Sequence, residues 1–439
     1  MIVSKATRPP KQGNNWKLNR VFTFVCFALP PGAGSAVSFI FNGAALYSIS
    51  NVVRGKLNIS TIREIEVLTT LFLLYVCTAI FAAVVNGSAF SDPSELLGLA
   101  TFAFFPFAYA SWSVSNRRDV YSALVWGSAV ACVTALILAV VQVYGLGFRR
   151  AEGGAGNALI FATILIISVS ITLLGIFTGS KKNRLLLAIA AGCGAVAIGL
   201  SKSRAPIVVL GFNIIFLFFI FCPWRFRTKG WISALIALIL IVSLLMLAEQ
   251  NPLLTRRFGH LFNDWNRIQN YGDYNNSGGI RLAVWEIGFE MWKQAPWFGY
   301  GQHAAADRMS EQLSSIYGIR HTFSHFHNFA LQTLVQSGLF NFTALMALIV
   351  YLFVLAWRAT FAREQVYRRV GGGILLITLV AYMGTGLTNI MFGHDILDAV
   401  FMISVVPAVF LAFGCDEADS VLRAPCLNPN EEGGVLSES

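Results

Sequence analysis

The chain has 439 residues, of which 56% are hydrophobic and only 12% charged. Soluble domains carry about 25% charged residues, so a water-soluble globular protein is excluded. The formal net charge of +10 resides in short loops between apolar runs, where Lys and Arg set the orientation of spans; that placement excludes nucleic acid as a partner.

The apolar residues come in runs of about 17–25, the length an α-helix needs to cross a hydrocarbon core of roughly 30 Å. The short alternating segments of a β-barrel are missing. Taken in chain order, twelve transmembrane helices are predicted, at 21–31, 33–53, 66–86, 95–113, 120–144, 157–178, 184–200, 206–222, 230–248, 327–357, 370–392 and 395–413. The expected fold is an all-α integral membrane protein with one long loop. A basic N-terminus (1–20) precedes helices 1–9 (21–248), the loop fills 249–326, helices 10–12 occupy 327–414, and an acidic tail follows at 415–439. Pro30, Pro31, Gly32 and Gly34 separate the first two spans. Gly34-Ser35-Ala36 mimics a signal-cleavage site, but the long basic leader favours a retained span.

Lys and Arg concentrate in alternate loops, among them Arg117-Arg118 and Lys181-Lys182. This bias predicts that both termini are cytoplasmic and that the long loop lies outside. No Lys, Arg, Asp or Glu falls at the middle of a span. An intramembrane charge costs about 2.5–3.5 kcal/mol and usually marks an ion path. Its absence counts against a transporter or flippase, as does the lack of paired broken helices in two halves. Cys26, Cys77, Cys132, Cys193 and Cys222 fall in or beside apolar runs, and Cys415 and Cys426 lie in the tail. That distribution shows neither a disulfide framework nor a Cys-based metal motif.

All six His (His260, His303, His321, His325, His327 and His394) fall on the outer side or at its edge, so chemistry is expected there. The long loop opens with an irregular polar run (263–279). An amphipathic helix is predicted from Ile280 to Gln294, with Trp285, Phe289 and Trp292 facing the membrane interface. Arg281 stands in its first turn, after Gly278-Gly279. A helix N-terminus with an Arg suits a phosphate, although pattern alone is equally served by a lipid-facing arginine. After a turn at Gly299-Tyr300-Gly301 comes His321-Thr-Phe-Ser-His325-Phe-His327-Asn328. Three His so close resemble zinc ligands, with His321 and His325 at i, i+4. Thr322, however, stands where a zinc-protease helix carries its catalytic Glu, so no metal is expected. One His at a membrane surface suits general-base work. Upstream, Arg149-Arg150 precede Gly153-Gly154-Ala155-Gly156-Asn157, and Lys202-Ser203-Arg204-Ala205-Pro206 joins two spans. Interfacial anchoring explains each of these alone. What sets Arg149, Arg150, Arg204, Arg281 and His327 apart is that all are expected at the same leaflet.

In these residues the sequence resembles the O-antigen ligase and polysaccharide polymerase superfamily. His327-Asn328, nine residues, then Gly338-Leu-Phe-Asn341 follows the family pattern except at Asn341, where Gly, Thr or Tyr is usual. Arg281-Leu-Ala-Val-Trp285 with Pro296-Trp-Phe-Gly299-Tyr-Gly301 is similar to the family's segment before the His. Ser201-Lys-Ser-Arg204 is similar to its Ser-x-Ser-Arg, with Val208 in place of a frequent Leu. The Gly-rich stretch ending in Asn157, preceded by Arg149 and Arg150, is a fourth likeness.

The resemblance implies a GT-C-like enzyme of a bacterial inner membrane that takes a glycan from undecaprenyl pyrophosphate at the periplasmic face, without metal or cofactor. Ligases pass the glycan to lipid A–core, and polymerases to another lipid-linked repeat; the His-Asn pair favours a ligase. The partners implied are the lipid-linked donor, a lipid A–core or growing-glycan acceptor, and membrane lipids. In this scheme Arg204 and Arg281 hold the pyrophosphate, assisted by Arg149 or Arg150, and His327 deprotonates or orients the acceptor hydroxyl. Asn157, Asn328 and His394, the last beside Asp395, are expected to contact substrate. A passive scaffold would instead leave substitutions of His327 and Arg204 silent.

Overall fold

Inside a bilayer no water satisfies the backbone, so each apolar run must close its hydrogen bonds within itself as helix. The computed structural model describes residues 15–91, 94–221, 268–270, 273–362 and 365–414, and among these residues there is no strand. In chain order the helices are α1 (Asn15–Ala28), α2 (Pro30–Ala33), α3 (Ala36–Val53), α4 (Arg63–Val85), α5 (Ser88–Ser91), α6 (Ser94–Ala103), α7 (Phe105–Ser113) and α8 (Arg117–Val140). They continue with α9 (Ala158–Thr178), α10 (Arg184–Leu200), α11 (Arg204–Phe221), α12 (Ser277–Gln294), α13 (Gln302–Tyr317), α14 (Phe329–Thr360), α15 (Val366–Gly386) and α16 (Asp395–Phe413).

Among the described residues, nine helices are long and apolar enough to cross a membrane: α3, α4, α8 with its extension to Gly145, α9, α10 with the turn before it, α11, α14, α15 and α16. The other three predicted spans fare differently. The first is realised as α1, only 14 residues long, because Pro30-Pro31 cannot donate the hydrogen bonds that would prolong it. The span predicted at 95–113 is divided at Phe104, since Pro106, at the start of α7, leaves a carbonyl of α6 without its donor. Span 230–248 lies outside the described residues, as do 1–14, loop residues 249–267 and the tail 415–439.

The core is built around α16. Of its most apolar window, 94% is buried, against 33% for α10, so α16 runs through the middle of the bundle while α10 keeps a face for lipid. Buried polar side chains bridge helices that apolar contact alone would not hold in register. Asn213 of α11 donates to Ser170 Oγ of α9 and to the Ile377 carbonyl of α15, each at 3.1 Å. Asn341 of α14 donates to the Tyr75 carbonyl of α4 at 2.9 Å.

A second, smaller core sits beyond one end of the bundle. Ala283, Val284, Ile287 and Met291 of α12 bury against Ala305, Met309 and Leu313 of α13, with Ile319, Phe326 and Val335. This corrects two sequence expectations. The packed face of α12 is the one bearing Ala283 and Ile287, while Phe289 is exposed. Helix α13, which the sequence reading passed over, is needed to cover that face.

Candidate functional site

Arg204 is the first residue of α11. The turn before it is tight: Lys202 has φ +54° and Ser203 N–H donates to Ser201 Oγ at 3.2 Å. Arg150 braces this turn from the preceding loop. Its Nε donates to the Ser201 carbonyl at 2.9 Å and its Nη2 to Ser203 Oγ at 2.8 Å, while Ala151 N–H donates to the Leu200 carbonyl at 3.0 Å. Arg150 therefore positions Arg204's turn. Arg149, next to it, is exposed.

The Gly-rich stretch does not form a phosphate cradle of its own. Gln142, in a π-helical extension of α8 (Val141–Gly145), accepts from Glu152 N–H and Gly153 N–H at 2.9 Å each. Gly154 packs so closely on the Pro-Gly turn that a Cβ would lie 2.0 Å from the Gly32 carbonyl oxygen. Asn157 caps α9, its Oδ1 accepting from Leu159 N–H and Ile160 N–H. That role engages its side-chain oxygen.

Arg281 lies in the first turn of α12, half-buried. Asn276 caps this helix by accepting from Gly279 N–H at 2.7 Å, so one of the free N–H groups that would draw an anion is already satisfied. Burial, and then the charge of Arg204, push the Arg281 guanidinium below its ordinary value. The two guanidinium groups are therefore within electrostatic reach of one another. Among the described residues, neither forms an ion pair with a carboxylate.

His327 belongs to the segment 318–328, which has no helix; His321 and His325 therefore do not share a helical face. Trp285 of α12 donates to the Phe326 carbonyl at 3.0 Å and Gln332 Oε1 of α14 accepts from Phe326 N–H at 3.0 Å. Pinned on both sides, His327 adopts φ +52°; it and Lys202 are the only non-glycine residues with positive φ among those described. Such a conformation costs roughly 1–3 kcal/mol and persists where the surroundings impose it. Burial first, then His325 and Arg281, push the His327 imidazole from its ordinary value near 6.5 to about 4. It is uncharged at neutral pH.

Around it lie His325, with ring centroids 4.3 Å apart, and Phe323 at 5.5 Å. His325 lies near Asn389 and His394; burial and then His394 lower its pKa, and Asn389 opposes them. His394 caps the entry to α16, its Nδ1 3.2 Å from Asp395 Oδ1. Burial lowers its pKa against the pull of Asp395. Asn328 is the N-cap of α14, its Oδ1 accepting from Ala330 N–H and Leu331 N–H at 3.0 Å each. Among the described residues, no three His, Cys, Asp or Glu side chains converge as metal ligands would.

Of the residues singled out in the sequence, Arg281 lies within electrostatic reach of both Arg204 and His327, and His394 within reach of His325. Arg150 acts through the turn it braces, and Asn157 and Asn328 cap helices. The sequence does not single out Gln332, and it assigns Gln142 and Asn389, lone polar residues in apolar runs, to packing.

Two comparisons bear on these residues. Residues 187–346 match the family described as O-antigen ligase. An uncharacterized protein of Haemophilus influenzae is 24% identical over 340 residues, covering 75% of this chain and 81% of its own length. The family match spans α10 to α14 with the Arg204 turn, Arg281 and His327 inside it, and it supports placing this chain in the O-antigen ligase and polysaccharide polymerase superfamily.

Proposed function

We propose that the protein is an inner-membrane glycosyltransferase of the O-antigen ligase type, moving a glycan from undecaprenyl pyrophosphate to a hydroxyl of lipid A–core on the periplasmic side. The observation that carries this reading is that Arg281 lies within electrostatic reach of both the Arg204 guanidinium and the uncharged imidazole of His327. Two guanidinium groups that repel each other form a site awaiting an anion. A diphosphate, with oxygens on two phosphorus atoms, can accept forked hydrogen bonds from both.

The acceptor oxygen attacks the anomeric carbon of the donor's first sugar, and the bond from that carbon to the pyrophosphate oxygen breaks. Its electron pair leaves with undecaprenyl pyrophosphate, whose growing charge the two guanidinium groups offset. The acceptor proton passes to His327. A free-enzyme pKa of about 4 makes the imidazole a weak base, but an adjacent diphosphate adds negative charge and raises it. Base strength then develops once donor is bound. Attack from the face opposite the leaving group inverts the anomeric centre. The two Arg take the charge-neutralising role that a divalent ion fills elsewhere, so the reaction is expected to be metal-independent.

The test is transfer by purified protein, given a defined undecaprenyl-pyrophosphate oligosaccharide and either lipid A–core or a second lipid-linked repeat, with and without EDTA. Glycosylated lipid A–core at an EDTA-insensitive rate supports the reading. Extension of the lipid-linked repeat alone would make the protein a polymerase, and no transfer to either acceptor would refute the proposal.

A further inference from the structure

A cavity of about 330 Å³ opens on the other flank of α14 from Arg281, and the scheme above gives it no task. It lies among α4, α6, α14 and α16. On α14 the lining residues are Thr333, Gln336, Ser337 and Asn341, the face turned to α4, whereas Phe329 turns to α15. Tyr75 comes from α4 and Asp398 from α16. Asp398 is only 1% exposed, and both its oxygens accept from one donor, Gly393 N–H, at 3.1 and 3.2 Å.

Amides, hydroxyls and a carboxylate around one hollow suit a ligand that both donates and accepts hydrogen bonds at many points. A phosphate is disfavoured, because two acidic residues, Asp395 and Asp398, line the cavity and, among the described residues, no Lys or Arg does. A sugar without acidic groups fits. The volume is at the lower end of ligand pockets, about 300–1,000 Å³, room for a terminal unit and no long chain.

Placement decides between the two substrates. Gly393 and Asp395 border the cavity while His394, between them in sequence, faces His325 and through it His327. Arg204 starts α11, which packs on α15, whereas the cavity lies toward α4.

Resting on the glycosyl-transfer reading, we propose that this cavity holds a non-acidic sugar of the acceptor glycan, with Asp398 accepting from its hydroxyls, so that the neighbouring hydroxyl is offered to His327. It is the acceptor-specificity pocket of the enzyme, separate from the pyrophosphate site.

The test measures KM for donor and for lipid A–core separately, in wild type and two variants. Asp398→Asn replaces the carboxyl group with an amide of the same shape. Gly98→Leu fills the space from α6, where a Cβ meets nothing closer than Asp398 Oδ2 at 4.0 Å. Asp398→Asn is expected to raise acceptor KM about fivefold, as loss of one hydrogen bond does, and Gly98→Leu to raise it at least as much by filling the space, both leaving donor KM within about twofold. Melting temperature in detergent checks folding, and Tyr75→Phe replaces any variant that melts early. Unchanged acceptor KM in folded variants, or a rise confined to the donor, overturns the cavity proposal. Failure of wild type to transfer at all overturns the glycosyl-transfer reading instead.

Discussion

His327 holds an imidazole that stays uncharged far below neutral pH, in a backbone conformation few side chains accept. His327→Ala is expected to cut transfer by about 10²–10⁴, the usual worth of general-base assistance. His327→Asn should do the same while tolerating the left-handed backbone. Normal membrane insertion in both separates loss of chemistry from loss of fold. The low pKa also fixes a pH signature. Because kcat/KM reports the free enzyme and kcat the complex, activity in kcat/KM should fall on acidification only near pH 4, where free His327 protonates. The acid limb of kcat should lie at higher pH, since bound diphosphate raises the imidazole pKa. Coincident limbs would mean that His327 does not sense the donor. Arg204→Lys should fail despite its charge, for an ammonium lacks the guanidinium fork. Arg150→Ala should act one step removed, raising donor KM about tenfold through the loss of two hydrogen bonds on the Arg204 turn. Arg204, Arg281 and His327 stand out in the sequence because their residue types carry the chemistry proposed for them. Asn157 and Asn328 have a second role that the pattern does not separate from substrate contact, since Asn at a helix start is also a preferred N-cap.

At the scale of elements, the segment 296–301 is strapped to a break in α14. Tyr300 N–H and Gly301 N–H donate to the carbonyls of Val335 and Gln336 at 2.9 Å, and Leu339 N–H donates to the Pro296 carbonyl at 2.8 Å. Gly338 makes this possible with φ +76°, and a Cβ there would lie 2.1 Å from the Trp297 carbonyl oxygen. Gly338→Ala is therefore expected to cost about 3 kcal/mol or more, read as a lower melting temperature in detergent, whereas Phe340→Ala, on an exposed ring, should melt close to wild type. The spans were legible because twenty-odd apolar residues admit few other structures in lipid. α13 was not. Its buried stripe is only Ala305, Met309 and Leu313, too thin to stand out from a polar loop until α12 supplies the surface it covers.

For the whole molecule, the contacts gather the Arg150, Arg204, Arg281, His327 and His394 segments at one end of the bundle. Arg20 and Asp119 pair at the other end, 3.6 Å apart, near the Asn19–Ser115 contact. The charge bias of the loops assigns the first end to the periplasm, a proposal that site-directed labelling checks. A Cys introduced at Glu152 should react with an impermeant maleimide in intact cells, and one at Lys182 only after permeabilisation. The reverse pattern would put the site in the cytoplasm.

The central claim, that Arg204, Arg281 and His327 surround a lipid diphosphate, is tested most directly by an experimental structure with undecaprenyl pyrophosphate bound. The account predicts phosphate oxygens within about 3 Å of both guanidinium groups, the distance of a charge-assisted hydrogen bond, with the His327 ring beside the bridging oxygen. A diphosphate seated elsewhere, with Arg204 and Arg281 both turned away from it, would contradict it.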